Sequence, residues 1–234
     1  MHETQLFIGE IRPLPQSRRP TGFYKQALET SVFIGPLGLA GDQQADLRVH
    51  GGPEKAVHLY PARHYARLAQ AFPTAAAQLL PGSMGENISL DDLDESQVFV
   101  GERFALGGAI LQLCQPRNPC WKIDERFDVD GMAAFIAEQG LTGWYFRVSQ
   151  TGEARSGDRL RPLDRPPGAP GLRAAMRCWQ EHRPTPEALE AIAATPGIAQ
   201  HWQDKIVRRA AWLRANPDSA PPPVTTFHVK PDPA

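Results

Sequence analysis

Residues 113–122 read LCQPRNPCWK and set one thiol, Cys120, on a stretch stiffened by two prolines and flanked by two cations. Pro116 and Pro119 fix their own φ and push Gln115 and Asn118 toward extended backbone, so a strand arriving at Leu113 must stop and turn here. Arg117 and Lys122 lie close to the thiol, and cationic neighbours favour the thiolate, the form that attacks electrophiles and binds soft metals. Burial as a small apolar group is the usual fate of a free thiol. That fate is expected of Cys114, inside an apolar run, and of Cys178, between Arg177 and Trp179 in a helical pattern, whereas Cys120 is assigned to chemistry.

Other stretches carry groups suited to an anion. In residues 48–61, RVHGGPEKAVHLYP, Gly51 and Gly52 before Pro53 let the backbone approach a ligand with amides free to donate. Arg18, Arg19, Thr21 and Lys25 offer cationic and hydroxyl donors to a phosphate, although a solvated basic loop has the same composition. Glu86 and Asn87 follow Gly85 and either line a site or cap its turn. His50 and His58 fit structural groups beside an apolar strand better than zinc ligands, because neither they nor the thiols show CxxC or HxxxH pairing.

The elements that must position these groups are short. Strands are expected at 6–11, 31–34 and 56–60, and again at 98–114, where the turns GE and GG separate VFV, RFAL and AILQLC. Another is expected at 144–148, with a partner across a TG turn that ends at Leu163. Pro61 should open a helix with Tyr65, Leu68, Ala69 and Phe72 on one face; TAAAQLL adds a short helix, and 131–139 another that Gly140 ends. Many short strands with glycine turns and few helices describe a closed or nearly closed β-barrel, a mainly β fold with added helices. Beyond the proline-rich residues 162–170 the pattern turns helical. Leu172, Ala175, Met176 and Trp179 form one stripe, Leu189, Ile192 and Ala193 a second, and Ile198, Trp202, Ile206, Ala210 and Leu213 a third; Thr185-Pro186 and Thr195-Pro196 read as helix starts. The expected organisation is a barrel over 1–165, a three-helix bundle over 171–215, and a proline-rich tail over 216–234, mobile or laid on the surface.

With 234 residues and 41% hydrophobic content the chain can bury a substantial core. A formal charge of −1 argues against a sequence-independent grip on nucleic acid or an anionic membrane. Three cysteines, an odd number without framework spacing, fit a reducing compartment. The first residues show no basic and apolar leader, and no later run could span a bilayer, so the cytoplasm is expected.

The runs GLAGDQQADLRVHGGPEKAVHLYP, MGENISL and VGERFALGGAILQLCQPRNPCWKIDERF resemble the YiiM-like MOSC-domain proteins, relatives of the carboxy-terminal domain of molybdenum cofactor sulfurases. The resemblance extends from about residue 6 to 214, because the terminal helices look like the three-helix domain that accompanies MOSC in that branch. It implies a MOSC β-barrel followed by this bundle. It also implies that Cys120, in the motif QPRxPC, ligates molybdenum carried by a pterin dithiolene, with Arg117 and Asn118 orienting oxo or hydroxyl groups. His50, Gly51, Gly52 and Lys55, with the loop carrying Arg19, Thr21 and Lys25, become candidates to hold the polar parts of the molybdenum cofactor; Glu86 and Asn87 match the family's GEN motif. The implied reaction is reduction of small N-hydroxylated compounds, hydroxylamines and N-hydroxylated purine analogues, to amines. No G-x-G-x-x-G fingerprint for a flavin or dinucleotide is present, so the electrons are expected from a separate flavin-type reductase. Two other functions fit the same residues: sulfur transfer through a Cys120 persulfide, and non-catalytic binding or delivery of the cofactor. A papain-like hydrolase fits least, since no family signature surrounds the cysteine.

Overall fold

The computed structural model describes residues 2–47, 51–224, 226, 228 and 230. Its strands are β1 (His2–Glu3), β2 (Gln5–Ile8), β3 (Arg12–Pro13), β4 (Pro20–Thr21), β5 (Gln26–Ala27), β6 (Val32–Gly35), β7 (Gly38–Leu39), β8 (Val57–Pro61), β9 (Ile88–Leu90), β10 (Arg103–Leu106), β11 (Ala109–Pro116), β12 (Trp144–Gln150), β13 (Gly152–Ala154) and β14 (Arg159–Asp164). A nine-stranded sheet runs β1-β14-β10-β11-β12-β8-β9-β2-β5. Only its β8–β9 pair is parallel. Thr4 alone separates β1, at one edge, from β2, next to the other. The sheet must therefore curl into a half-barrel whose ends approach through the chain itself, and Ser156 helps to fasten the seam by accepting from the Leu6 amide at 3.0 Å while donating to the Leu28 carbonyl at 2.9 Å.

Two departures from the expected strand layout have local causes. The strand over 159–164 pairs with β10 and β1, not with β12, because the TG turn sends β13 into a separate sheet with β6 and β7. Pro61 ends β8 instead of opening a helix. All five β8 residues are buried, and the ladder continues past the proline through Ala62 N–H donating to Leu90 O at 2.7 Å.

The helices are α1 (Arg63–Ala71), α2 (Lys122–Phe127), α3 (Met132–Gln139), α4 (Leu172–Gln180), α5 (Pro186–Ala193) and α6 (Gln200–Ala215). Short 3₁₀ turns cover Pro53–Lys55 and Pro73–Gln78. Thr185 caps α5 as its sequence suggests, accepting from the Ala188 amide at 3.2 Å. Thr195 starts no helix. The Ala199 amide is committed to Cys114 O at 2.9 Å, and α6 begins one residue later. An apolar cluster fills the curl with Leu6, Phe104, Leu111, Trp144 and Phe146 and continues unbroken into Leu172, Met176, Leu189, Trp202 and Ile206 of the terminal helices. A second cluster under α1–α3 holds Tyr60, Tyr65, Leu68, Met84, Cys120, Phe127 and Ile136. Among the described residues no helix is long and apolar enough to cross a membrane.

Candidate functional site

Strand β11 slips register against β12 twice, first between Ile110 and Leu111 and again after Leu113. Leu113 faces Phe146 but Gln115 faces Tyr145, so Cys114 occupies a bulge. The bulge turns the Cys114 thiol toward the Glu54 carbonyl at 3.0 Å. Cys114 is fully buried and burial pushes its pKa up to about 12, which makes it an inert structural thiol. The chain leaves the sheet after Pro116, Arg117 N–H donates to Gly143 O at 3.1 Å, and α2 starts at Lys122. Cys120 sits between, 3% exposed, in the second apolar cluster. Its backbone is covered by a returning piece of tail. His228 N–H donates to Pro119 O at 2.9 Å, and Trp121 N–H donates to His228 O at 2.8 Å. Arg183 holds the root of this strap through the carbonyls of Asn216 and Ser219, both at 2.7 Å.

Beside this loop lies a cavity whose apolar floor includes Phe23 and Met84 and whose polar lining is Thr21, Lys25, Asp42, Lys55, His58, Asn87, Arg117, Lys122 and Tyr145. Asp42 organises it. Its buried carboxylate accepts from the Lys25 ammonium, from Gly9 N–H at 2.9 Å and from Asn87 Nδ2 at 2.9 Å. Burial lowers the Lys25 pKa even though Asp42 opposes the shift. Burial, reinforced by the Arg117 charge, holds His58 well below its usual range, so its imidazole is neutral near pH 7. His58 Nε2 and Arg117 Nη1 are buried without hydrogen-bond partners among the described residues. Such groups are costly unless something pairs with them.

The MGEN turn supports this wall. Gly85 has φ +81°, and a Cβ there would stand 2.7 Å from the Phe23 ring. Glu86 is fully buried, accepting from Tyr65 OH and Gly82 N–H at 2.6 Å each. Burial raises its pKa. Its neighbour Asn87 turns the other way, accepting from His58 N–H at 3.1 Å and reaching Asp42.

Lys55 and Tyr145 also belong to an adjoining cleft of about 410 Å³, between the barrel and the terminal helices. Gly51, Gly52, Gln115 and Asn118 form its barrel side; Trp179, His201, Trp202 and Lys205 form its helical side, with His228 at the rim. Gly52 has φ +91° and nothing within 4 Å of where a Cβ would lie, so it keeps the cleft wall bare. Glu54 pins the loop to both sides. Its carboxylate accepts from Arg147 Nη2 at 2.6 Å and from Gln200 N–H at 3.0 Å, and its carbonyl accepts from Gln115 Nε2 at 2.9 Å.

Thr21, Lys25, Lys55, Asn87 and Arg117 thus meet around one cavity, and Gly51, Gly52, Lys55 and Asn118 around the next. Cys120 lies behind both linings, and Glu86 is enclosed in its own turn. Arg19 is outside, its guanidinium 5.5 Å above the Trp121 ring, and His50 falls outside the described residues. Sequence reasoning read Lys122 only as a cation beside the thiol and passed over Asp42, Tyr145, His201 and Lys205 as site residues. The last two stand i, i+4 on one helical face beside Trp202, a spacing that was legible but looks like an ordinary solvated surface.

A curled sheet with a proline-braced cysteine loop and a cation-lined cavity beside that loop defines a MOSC-type protein, and the MOSC domain model matches residues 46–161. Protein YiiM of Escherichia coli is 31% identical over 209 residues, 89% of this chain and 92% of that protein. A crystal structure of YiiM from Escherichia coli has a TM-score of 0.75 at 25% identity, over 90% of this chain and 92% of that one. A much longer protein of Gibberella moniliformis, called a reductase, is 33% identical over 147 residues, 62% of this chain and 26% of its own length. The chain belongs to the YiiM-like MOSC-domain family.

Proposed function

We propose that the chain binds the molybdenum cofactor and reduces N-hydroxylated compounds to amines. The net reaction is R–NHOH + 2 e⁻ + 2 H⁺ → R–NH₂ + H₂O, in which the N–O bond breaks and a separate flavin-type reductase supplies the electrons. One observation carries this reading: a cavity wall that buries Lys25, His58 and Arg117, the last two with unpartnered nitrogens, next to a cysteine loop in a MOSC-family chain. These donors fit an anionic, polar cofactor, which would satisfy nitrogens that otherwise lose hydration for nothing. The fungal relative's name, reductase, agrees with the redox assignment.

When bound, the cofactor supplies the two-electron redox change that no side chain here can perform. The protein's part is positioning. Cys120, behind the cavity lining and 3% exposed, would be the soft donor toward the metal, reached once that lining shifts. Thr21, Lys25, Lys55, Arg117 and Lys122 hold anionic oxygens, Gly51 and Gly52 allow close backbone approach, and Asn87 fixes the wall through Asp42. Neutral His58 keeps an added positive charge out of the cavity near pH 7. Asn118, which lines the adjoining cleft, would orient the substrate's hydroxyl.

The test is elemental analysis of protein made in a host with intact molybdenum cofactor synthesis. Wild type, Cys114→Ala and Cys178→Ala should carry molybdenum and Cys120→Ala should not; equal content in all four would refute the assignment. Pre-reduced protein should give about one equivalent of amine per molybdenum, as a cofactor that changes by two electrons requires. A dye or flavin reductase should then turn this single event into steady turnover.

A further inference from the structure

The cleft beside the cofactor cavity has a chemistry of its own. Lys205 and His201 project from one face of α6 across from Lys55 on the barrel, and His228 closes the rim. These basic groups feel one another. The Lys55 pKa is lowered by burial and then by Lys205, and that of His228 by burial and then by Lys205 and Lys55. Glu54 offsets part of this at Lys55, and the lowered imidazoles of His201 and His228 are neutral near pH 7, so Lys205 is the cation a bound anion would meet. The nearby carboxylates are already engaged: Glu54 holds Arg147 and Gln200 N–H, and Asp204 accepts from Gln200 Nε2 at 2.8 Å. Among the described residues Lys205 makes no hydrogen bond or ion pair.

The space also exceeds what a lone inorganic anion needs. At about 410 Å³ it lies in the range that takes a whole small molecule. The indoles of Trp179 and Trp202 line it, and Asn118 offers an amide on the side toward Cys120. Rings to pack on, an amide to read a polar edge and an unpartnered lysine at one end are parts a nucleotide requires.

We infer that the cleft is a nucleotide site, in which Lys205, with His201 beside it on the helical region, binds the phosphate of an N-hydroxylated nucleoside monophosphate. The inference rests on the reduction proposed above and narrows its substrate class from free bases to their phosphorylated nucleosides. It also gives the terminal helices a task in recognition.

Adenosine monophosphate, the amine product expected from an N-hydroxylated adenine nucleotide, tests the site without any turnover. Titration of the full chain, followed by calorimetry or by tryptophan fluorescence, should show it binding at least roughly tenfold more tightly than adenosine, the worth of one charge-assisted contact. Lys205→Gln should abolish that preference while leaving adenosine affinity unchanged, and Lys205→Arg should restore it. Equal affinity for nucleotide and nucleoside, or an unaltered preference in Lys205→Gln, overturns the inference. So does inorganic phosphate competing as well as the nucleotide. The cofactor's own phosphate is the other source of this chemistry, so the titration is run on cofactor-loaded and cofactor-free protein. Binding in both is expected, and loss of nucleotide binding on loading would assign the cations to the cofactor. Failure of the redox reading looks different: N-hydroxylated compounds are not reduced, while phosphate-dependent binding through Lys205 persists.

Discussion

Replacing Asp42 tests how the cavity wall is held. The Lys25 and Asp42 side chains are 4% and 2% exposed, and the carboxylate also accepts from Gly9 N–H and Asn87 Nδ2. Asp42→Ala strands a buried ammonium and two further donors, and breaking one side of a buried ion pair costs about 3–5 kcal/mol. The lysine has one escape, which is to lose its proton. Its pKa is already lowered by burial, and the charge and hydrogen bond of Asp42 are what oppose that shift, so in the variant it falls further. A folded-state pKa below the unfolded value of 10.5 means that the unfolded chain binds more protons between the two. The variant should therefore gain stability as pH rises through that window, over a wider range than wild type does. Urea unfolding reads this directly, as a midpoint shifted down with little change in slope. Asp42→Ala combined with Lys25→Met should recover much of the loss, because the orphaned charge is gone. A loss under about 1 kcal/mol in the single variant, or no recovery in the double, would refute the view that this pair carries the wall.

His58 stays neutral in the fold with its pKa well below 6.5, so unfolded protein takes up a proton that folded protein refuses; stability should drop as pH falls below about 6.5, and His58→Gln should flatten that slope in urea unfolding from pH 7 to 5. The strap over the cysteine loop makes a second expectation. His228→Pro removes the donor to Pro119, a bond worth about 1 kcal/mol, and in a Cys178→Ala background should speed the reaction of Cys120 with a thiol reagent roughly fivefold, an unchanged rate counting against strapping as the shield.

Elements with local signatures were legible. Helix α3 lies between Gly131 and Gly140, both left-handed, and the β10–β11 hairpin turns at Gly107 and Gly108, as their residue types require. Helix α2 was not legible: KIDERF is six residues long and mostly charged, and it is held by what docks on it, including the Gln16 and Ser17 amides on the Glu125 carboxylate. Strand partners across long separations, such as β14 with β1, leave no local trace either. The site divides the same way. Cationic side chains near glycine turns announce themselves, but nothing local marks Asp42, because its role comes from Gly9, Lys25 and Asn87 arriving from elsewhere in the chain. That Cys120 is covered by His228 rests on a contact over more than a hundred residues of sequence, which no spacing encodes.

The seam of the curled sheet has a consequence for how the molecule assembles and breathes. The β10–β11 hairpin can form at once, whereas His2↔Leu160 and Glu3↔Arg159 must wait for a loop of more than 150 residues to close, a slow and entropically costly event. Beyond β2 the sheet ends in the two residues of β5, beside which Lys25 stands. The Lys25 side of the cavity therefore stands on the last part of the barrel to close and the first to fray, while His58 on β8 and Tyr145 on β12 hold its other side at the sheet's centre. Amide exchange should be faster along the seam than at the sheet's centre, so that the Lys25 side of the cavity can open without the whole protein unfolding.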